Sequence, residues 1–164
     1  MKKLSLLFVV LLVAAMVMGC GSNNSNSNSN LENDESVSWS ITVEGIDDGA
    51  IEFTNLDAAK LTTRKVEAVL TKKDGSEQKQ NWEGVALKDV LESLGAKDYQ
   101  SVIVEAADGY SQEYSLEIIN REETLLGLKL NGEPLDEESG PVQAVPTGEP
   151  GNLWIKNVTR LIVR

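Results

Sequence analysis

Short alternating apolar segments separated by tight-turn dipeptides are the feature that most constrains this fold. Trp39, Ile41 and Val43 alternate with polar residues, which is the period of a half-buried strand. Three dipeptides interrupt later alternating segments: Asp74-Gly75, Asp108-Gly109 and Asn131-Gly132. Asp-Gly and Asn-Gly favour two-residue hairpins because both tolerate positive φ angles. The sequence therefore predicts a succession of antiparallel hairpins.

One segment has helical periodicity, with apolar residues at i, i+3, i+4 and i+7: Leu87, Val90, Leu91 and Leu94. This spacing places them on one helix face, and Gly95 supplies a left-handed stop. A short helical turn is also predicted to begin with Asn55 as its N-cap. At the other end of the chain, the spacing predicts a terminal strand that includes Trp154 and Lys156. Many short strands with one clear helix predict an α+β domain that is mostly β.

Cys20 is the only cysteine, and it follows Gly19 at the end of an apolar run preceded by Lys2 and Lys3. A basic start, a short apolar run and a small residue before the cleavage point are typical of an exported lipoprotein. We therefore expect residues 1–19 to be a signal peptide and Cys20 to be acylated. A short uncleaved anchor and a plain secretory signal are the alternatives.

The predicted organisation is a tether followed by one domain. Residues 20–36 are rich in Asn and Ser, and such a composition cannot bury enough apolar surface to fold. Residues 37–164 have the usual length of a single domain. Acyl chains on Cys20 would insert into lipid, so we expect a membrane-anchored protein that faces outside the cytoplasm.

Composition excludes several classes of function. The formal net charge is −11, whereas nucleic-acid binding depends on clustered Lys and Arg. The chain has no histidine and no cysteine beyond Cys20. Ser-His-Asp catalysis, Cys-His catalysis and imidazole metal sites are therefore excluded. The acidic run at residues 136–138 lacks the spacing of a calcium loop and is interpreted as a solvated turn.

The order of these landmarks resembles the molybdopterin-binding domain of the sulfite oxidase family. Seven segments carry the resemblance: WSITVEG, FTNLDAAKL, VEAVLTKKDG, NWEGVALKDVLESLGA, VIVEAADGYSQEYSLE, LLGLKLNGEPLDEESGP and WIKNVTRLIV. Together they cover nearly all of residues 37–164. The resemblance implies a sulfite-oxidase-like, mostly β fold, in which Trp82 belongs to the core and Gly84 permits a close approach of the backbone.

The resemblance also shows where this chain departs from the family's catalytic members. In those members a cysteine before the segment matching Trp82 gives a thiolate to molybdenum, whereas residues 71–79 here contain no cysteine. Hydroxyl and ammonium groups do not replace a soft thiolate ligand. Gln143 stands where the family usually has an arginine. The start of the chain also lacks the arginine pair of the signal that exports such proteins folded with their cofactor.

Three stretches match the side of the family's domain that faces the pterin, and we take them as the candidate ligand site. The turn at residues 108–111 can equally be a plain hairpin turn, and Tyr110 combines a polar hydroxyl with a flat apolar ring. An exposed loop at residues 148–152 offers a further surface for a partner. The candidate site residues are Asp108, Gly109, Tyr110, Ser111, Gly140, Gln143, Trp154 and Lys156.

These observations favour a non-catalytic lipoprotein that binds a small molecule or a partner protein. The resemblance alone admits molybdopterin as a cofactor, and we expect none and no metal. One alternative is a molybdopterin-dependent oxidoreductase, or a subunit of one. A second alternative is a structural or assembly lipoprotein.

Overall fold

The computed structural model describes residues 36–72 and 74–164. The predicted signal peptide, Cys20 and the tether up to residue 35 lie outside these residues. Within the described ranges, no helix is long and apolar enough to cross a bilayer.

The described residues form ten strands, three α-helices and one 3₁₀ turn. In chain order they are β1 (Ser40–Glu44), β2 (Ile51–Thr54), α1 (Asn55–Ala58), β3 (Thr63–Thr71), β4 (Glu77–Ala86), α2 (Leu87–Ser93), β5 (Ser101–Ala106), β6 (Ser111–Ser115), α3 (Leu116–Ile119), β7 (Thr124–Leu130), β8 (Glu133–Pro134), β9 (Gln143–Pro146), the 3₁₀ turn (Gly151–Leu153) and β10 (Val158–Val163).

The first sheet joins both ends of the domain. Its strand order is β2-β1-β10-β5-β6. The first strand pairs in parallel with the last, with Val43 opposite Leu161, whereas the other neighbours are antiparallel. Two parallel strands need a long connection rather than a tight turn. Here the connection from β1 to β10 contains all the other described strands and helices.

The second sheet has the order β3-β4-β7-β8, and β9 also pairs with β7. Along the edge of β7 that faces away from β4, residues 124–127 pair with β9 and residues 129–130 pair with β8. All of these pairs are antiparallel.

Two apolar clusters lie on opposite faces of the second sheet. The larger cluster combines Val104 and Leu161 of the first sheet with Leu126 of the second. The smaller cluster contains Leu125 and Trp82. Because successive side chains of a strand point to opposite faces, Leu125 and Leu126 mark the two sides. The smaller cluster therefore lies on the face that does not contact the first sheet.

The mostly β fold is confirmed, and so are the three predicted hairpins, β3–β4, β5–β6 and β7–β8. The clear helix is α2, which begins at Leu87 and is followed by Gly95 with a φ of 84°. Trp82 is buried as predicted. A side chain at Gly84 would meet the Leu126 carbonyl oxygen at 2.2 Å, which confirms the close approach.

Two local predictions are wrong. The N-cap of α1 is Thr54, not Asn55, because Thr54 and Asp57 form a reciprocal capping box that satisfies two free N–H groups. The terminal strand begins at Val158, so Trp154 and Lys156 lie before it. Ile155 makes only an isolated bridge with Ala144, which holds this stretch beside the second sheet.

Gly127 tests how tightly the smaller cluster is packed. A Cβ atom at this position would lie 2.6 Å from Cε3 of Trp82. We expect Gly127→Ala to lower the free energy of unfolding by about 1–3 kcal/mol, since overpacking forces a buried neighbour to move. Urea denaturation measures the change. Gly49→Ala is the matched control because a Cβ at Gly49 meets nothing within 4 Å, and equal stability of the two variants would contradict the packing argument.

Candidate functional site

A cleft of about 1000 Å³ lies at the end of the β3–β4 hairpin. One side is formed by the last residues of β3 and the first residue of β4, and the other by the β5–β6 turn and the chain after β9. Its lining residues are Val69, Leu70, Thr71, Lys72, Glu77, Tyr110, Gly148, Glu149, Pro150, Gly151 and Asn152. Such a volume is at the upper end of the range for small-molecule sites.

The chain between β9 and β10 forms one wall of this cleft. Because β9 belongs to the second sheet and β10 to the first, residues 147–157 must pass from one sheet to the other. We call these residues the crossing segment. A Cβ on Gly151 would lie 3.0 Å from the Thr71 carbonyl oxygen. The crossing segment therefore closely approaches the end of β3, and Gly151 permits this approach.

Three aromatic side chains fix the crossing segment through its carbonyl oxygens. The Tyr110 hydroxyl donates to the Asn152 oxygen at 2.9 Å, and the Tyr114 hydroxyl donates to the Leu153 oxygen. Trp154 Nε1 donates to the Glu149 oxygen at 3.1 Å, and its ring meets that of Trp82 edge-on at 6.1 Å. The cleft wall is thus held to β6 of the first sheet and to the smaller apolar cluster beside the second.

Arg121 fixes the same wall from the turn after α3. Its guanidinium donates to Glu149 at 2.6 Å, to Glu117 at 2.9 Å and to the Thr147 carbonyl oxygen at 3.4 Å. The hydrogen bonds to Glu149 and Glu117 raise the pKa of Arg121 above its usual value. The side chains of Arg121 and Glu149 are both largely shielded from solvent, so the pair acts as a brace for the crossing segment.

Tyr110 has a fixed hydroxyl but an accessible ring. Its hydroxyl donates to the crossing segment and accepts from Gln112 Nε2 at 3.0 Å, while 47% of the residue is exposed. Tyr114, two residues later, is fully buried, and burial raises the pKa of its hydroxyl well above the usual range. Tyr114 is therefore a structural donor, whereas Tyr110 offers a surface to a ligand.

The lining of the cleft combines apolar surface with few charges. Val69, Leu70 and Pro150 supply aliphatic surface, and the charged lining residues are Lys72, Glu77 and Glu149. Among the described residues, no group of three His, Cys, Asp or Glu side chains could hold a metal ion. The arrangement is suited to holding a molecule by contact with its apolar body.

Of the eight residues predicted as the candidate site, Tyr110 lines the cleft. Asp108 accepts the Tyr110 backbone N–H at 2.9 Å, and Gly109 has a φ of 84°. These two residues therefore shape the turn that presents Tyr110. Ser111 begins β6. Trp154 belongs to the crossing segment, but its side chain packs on Trp82 and is not among the lining residues of the cleft.

The remaining three predicted residues, Gly140, Gln143 and Lys156, are not among the lining residues of the cleft. A Cβ on Gly140 would lie 2.4 Å from Asn157 Oδ1, and Asn157 also accepts the Ala107 N–H through its carbonyl oxygen. Gly140 thus packs under the start of β10, close to the β5–β6 turn. Gln143 is buried in β9 opposite Gly127. Lys156 is exposed to solvent and pairs with Glu138 at 2.6 Å.

Sequence reasoning missed most of the hairpin side of the cleft. Val69, Leu70 and Glu77 had only the signals of a strand and its turn, and nothing in their spacing distinguishes a cleft wall from any other edge strand. The loop at residues 148–152 did carry a signal in the sequence, because Pro146 and Pro150 stiffen a stretch that also contains glycine. Residues 71–79 were singled out only by the resemblance, as the place of the missing thiolate.

Comparison with known proteins shows a family for this chain and a likeness of fold to solved structures. The family model described as "oxidoreductase molybdopterin binding domain" matches residues 26–164. The crystal structure of the sulfane dehydrogenase SoxCD from Paracoccus pantotrophus superposes with a TM-score of 0.68 at 22% sequence identity. The likeness covers 76% of this chain and 38% of that one, so this chain corresponds to well under half of the dehydrogenase chain. No curated protein matches the sequence.

Removing one tyrosine hydroxyl at a time tests the anchoring of the crossing segment. We expect Tyr114→Phe to lower the free energy of unfolding by about 1–3 kcal/mol, because the Leu153 oxygen loses its partner in a buried setting. Tyr110→Phe is the matched control, and its cost should stay below about 1 kcal/mol since water can reach the exposed Tyr110 site. Thermal and urea unfolding of both variants measure the difference. The reverse ranking would show that the buried hydrogen bond is not the main anchor.

Proposed function

Since the chain belongs to the oxidoreductase molybdopterin-binding domain family, we propose that it uses the family's fold as a non-catalytic, membrane-tethered binding domain outside the cytoplasm. Its ligand is a small molecule held in the cleft between the β3–β4 hairpin and the crossing segment. One observation carries the proposal. The stretch that corresponds to the family's molybdenum-binding thiolate borders this cleft with Thr71, Lys72 and Glu77, and none of these residues can supply a thiolate.

The residues of the cleft do not fit the molybdenum cofactor. A molybdenum–dithiolene centre held by protein needs a soft anionic sulfur ligand, whereas the polar side chains among the described lining residues are a hydroxyl, an ammonium, two carboxylates, a phenol and a carboxamide. An anionic pterin phosphate needs basic partners. Lys72 is the one described basic residue of the lining, and Glu77 lies on the same lining. Gln143 is buried in β9, at the position where the resembling family usually has an arginine.

The proposed location, on a membrane and outside the cytoplasm, is supported by residues near the start of the sequence. Gly19-Cys20 ends an apolar run that follows two lysines, and acylation there would tether the domain through residues 20–36. A route that threads the chain unfolded across the membrane would deliver no cytoplasmically inserted cofactor. The signal and the cleft chemistry therefore support the same non-catalytic function by separate arguments.

Metal and pterin content test the proposed function directly. We expect the full-length protein, purified from its native membrane with detergent, to contain less than about 0.1 molybdenum atom per chain, since the cleft lacks the thiolate that would retain the metal. Plasma mass spectrometry measures the metal, and fluorescence of the oxidised extract measures pterin. Stoichiometric amounts of both would establish a molybdopterin-dependent oxidoreductase subunit instead. A protein without either that stably co-purifies with one other protein would favour an assembly role.

Labelling with an alkyne analogue of palmitate tests the tether. We expect the wild-type chain to incorporate the label in its native host and Cys20→Ser to lose it entirely, because Cys20 holds the only thiol in the chain. Ser22→Ala is the matched control and should keep the label. Unchanged labelling of Cys20→Ser would show that the acyl chain is attached elsewhere and would remove the basis for the lipoprotein assignment.

A further inference from the structure

We infer that the cleft selects an uncharged molecule with a mainly apolar body and rejects anionic ligands, pterin phosphates among them. This inference rests on the proposed binding function and specifies the ligand class. It follows from the charges that line the cleft, from the side chains that form its surface, and from the way its wall is held in place.

The charges of the cleft give no strong attraction for an anion. Among the described residues, the charged lining residues are Lys72, Glu77 and Glu149. Arg121 lies close to the wall, but its guanidinium already donates to Glu149, Glu117 and the Thr147 carbonyl oxygen. Binding a phosphate through Arg121 would break these charge-assisted hydrogen bonds, which are among the stronger ones in proteins.

Neutralisation of Glu149 also argues against a cationic ligand. The Glu149 carboxylate lies 2.6 Å from Arg121, so its charge is compensated within the protein. Glu77 is exposed at the mouth and has Lys72 on the same lining. A cation would thus meet one solvated carboxylate and one ammonium, and exposed charges of this kind contribute little. The cleft therefore has no strong preference for positive charge.

The surface that remains for a ligand is apolar. The Leu70 side chain reaches the crossing segment, since a Cβ on Gly151 would lie 3.2 Å from Leu70 Cδ1. Val69 and Pro150 also line the cleft. Tyr110 adds an aromatic ring whose hydroxyl is already occupied by Asn152 and Gln112. Because that hydroxyl makes two hydrogen bonds within the protein, Tyr110 offers a ligand mainly its ring. Burial of apolar area against these side chains would supply the binding free energy.

The wall of the cleft is already ordered before a ligand binds. Hydrogen bonds from Tyr110, Tyr114 and Trp154 hold the carbonyl oxygens of Asn152, Leu153 and Glu149 in the crossing segment. Arg121 also donates to Glu149. A site that is fixed beforehand loses little conformational entropy on binding. Shape and polarity of the existing cleft, rather than closure around a charge, would determine what binds.

Two dyes with apolar bodies and different charge test this inference on the folded full chain in detergent. Nile red is uncharged, and 8-anilinonaphthalene-1-sulfonate is anionic. We expect saturable Nile red binding with a dissociation constant at least about tenfold lower than that of the sulfonate. Leu70→Asp should weaken Nile red binding at least about tenfold, since it places a carboxylate beside Gly151 in the apolar lining. Val37→Asp is the matched control, because Val37 is exposed and is not among the lining residues of the cleft.

A charge substitution gives an independent measurement at an exposed position, where folding is not at risk. Glu77→Gln should strengthen sulfonate binding at least about threefold by removing a like charge. Glu123→Gln makes the same change outside the cleft and should not. Tighter binding of the sulfonate than of Nile red by the wild type would overturn the ligand class and leave the binding function intact. Absence of saturable binding of either dye would overturn both. Unaltered Nile red binding by folded Leu70→Asp would overturn the assignment of the apolar ligand to this cleft.

Discussion

The parallel pairing of the first and last strands is the constraint on which the rest of this structure depends. Val43 lies opposite Leu161, so β10 must lie inside the first sheet although β9, directly before it, belongs to the second. The chain is therefore forced to cross between the sheets over residues 147–157. This crossing forms one wall of the cleft, and its carbonyl oxygens are the groups that Tyr110, Tyr114 and Trp154 hold.

The same crossing brings Trp154 to the smaller apolar cluster. Trp154 packs edge-on against Trp82 on the face of the second sheet that lies away from the first. Without that indole, Trp82 would lose a partner that shields it from water. Gly127 leaves the space that the Trp82 ring occupies. The crossing thus forms one wall of the cleft and also supplies an aromatic residue of the smaller cluster.

The fold of this protein and the chemistry of its cleft depend on different residues. The chain keeps the architecture of the oxidoreductase molybdopterin-binding domain family, and a fold does not by itself carry an activity. The chemistry of the cleft depends on a few side chains at strand ends and loops, where Thr71, Lys72 and Glu77 lie. A sheet tolerates changes at such positions because they contribute little to its core, so the site can change while the fold persists.

Sequence alone determined the features that depend on neighbours in the chain. The three turn dipeptides gave the hairpins, the spacing from Leu87 to Leu94 gave α2, and Cys20 as the only cysteine showed that no thiolate could lie in the domain. Thr54 rather than Asn55 caps α1 because Asp57, three residues later, returns its hydrogen bond, so this capping box was a local signal that the sequence already contained. Local pattern failed at Trp154, which lies before the last strand and packs on Trp82, a partner far along the chain. Only the tertiary structure brought Val69, Tyr110 and Pro150 to one cleft, since their approach depends on strand pairing between residues far apart in sequence.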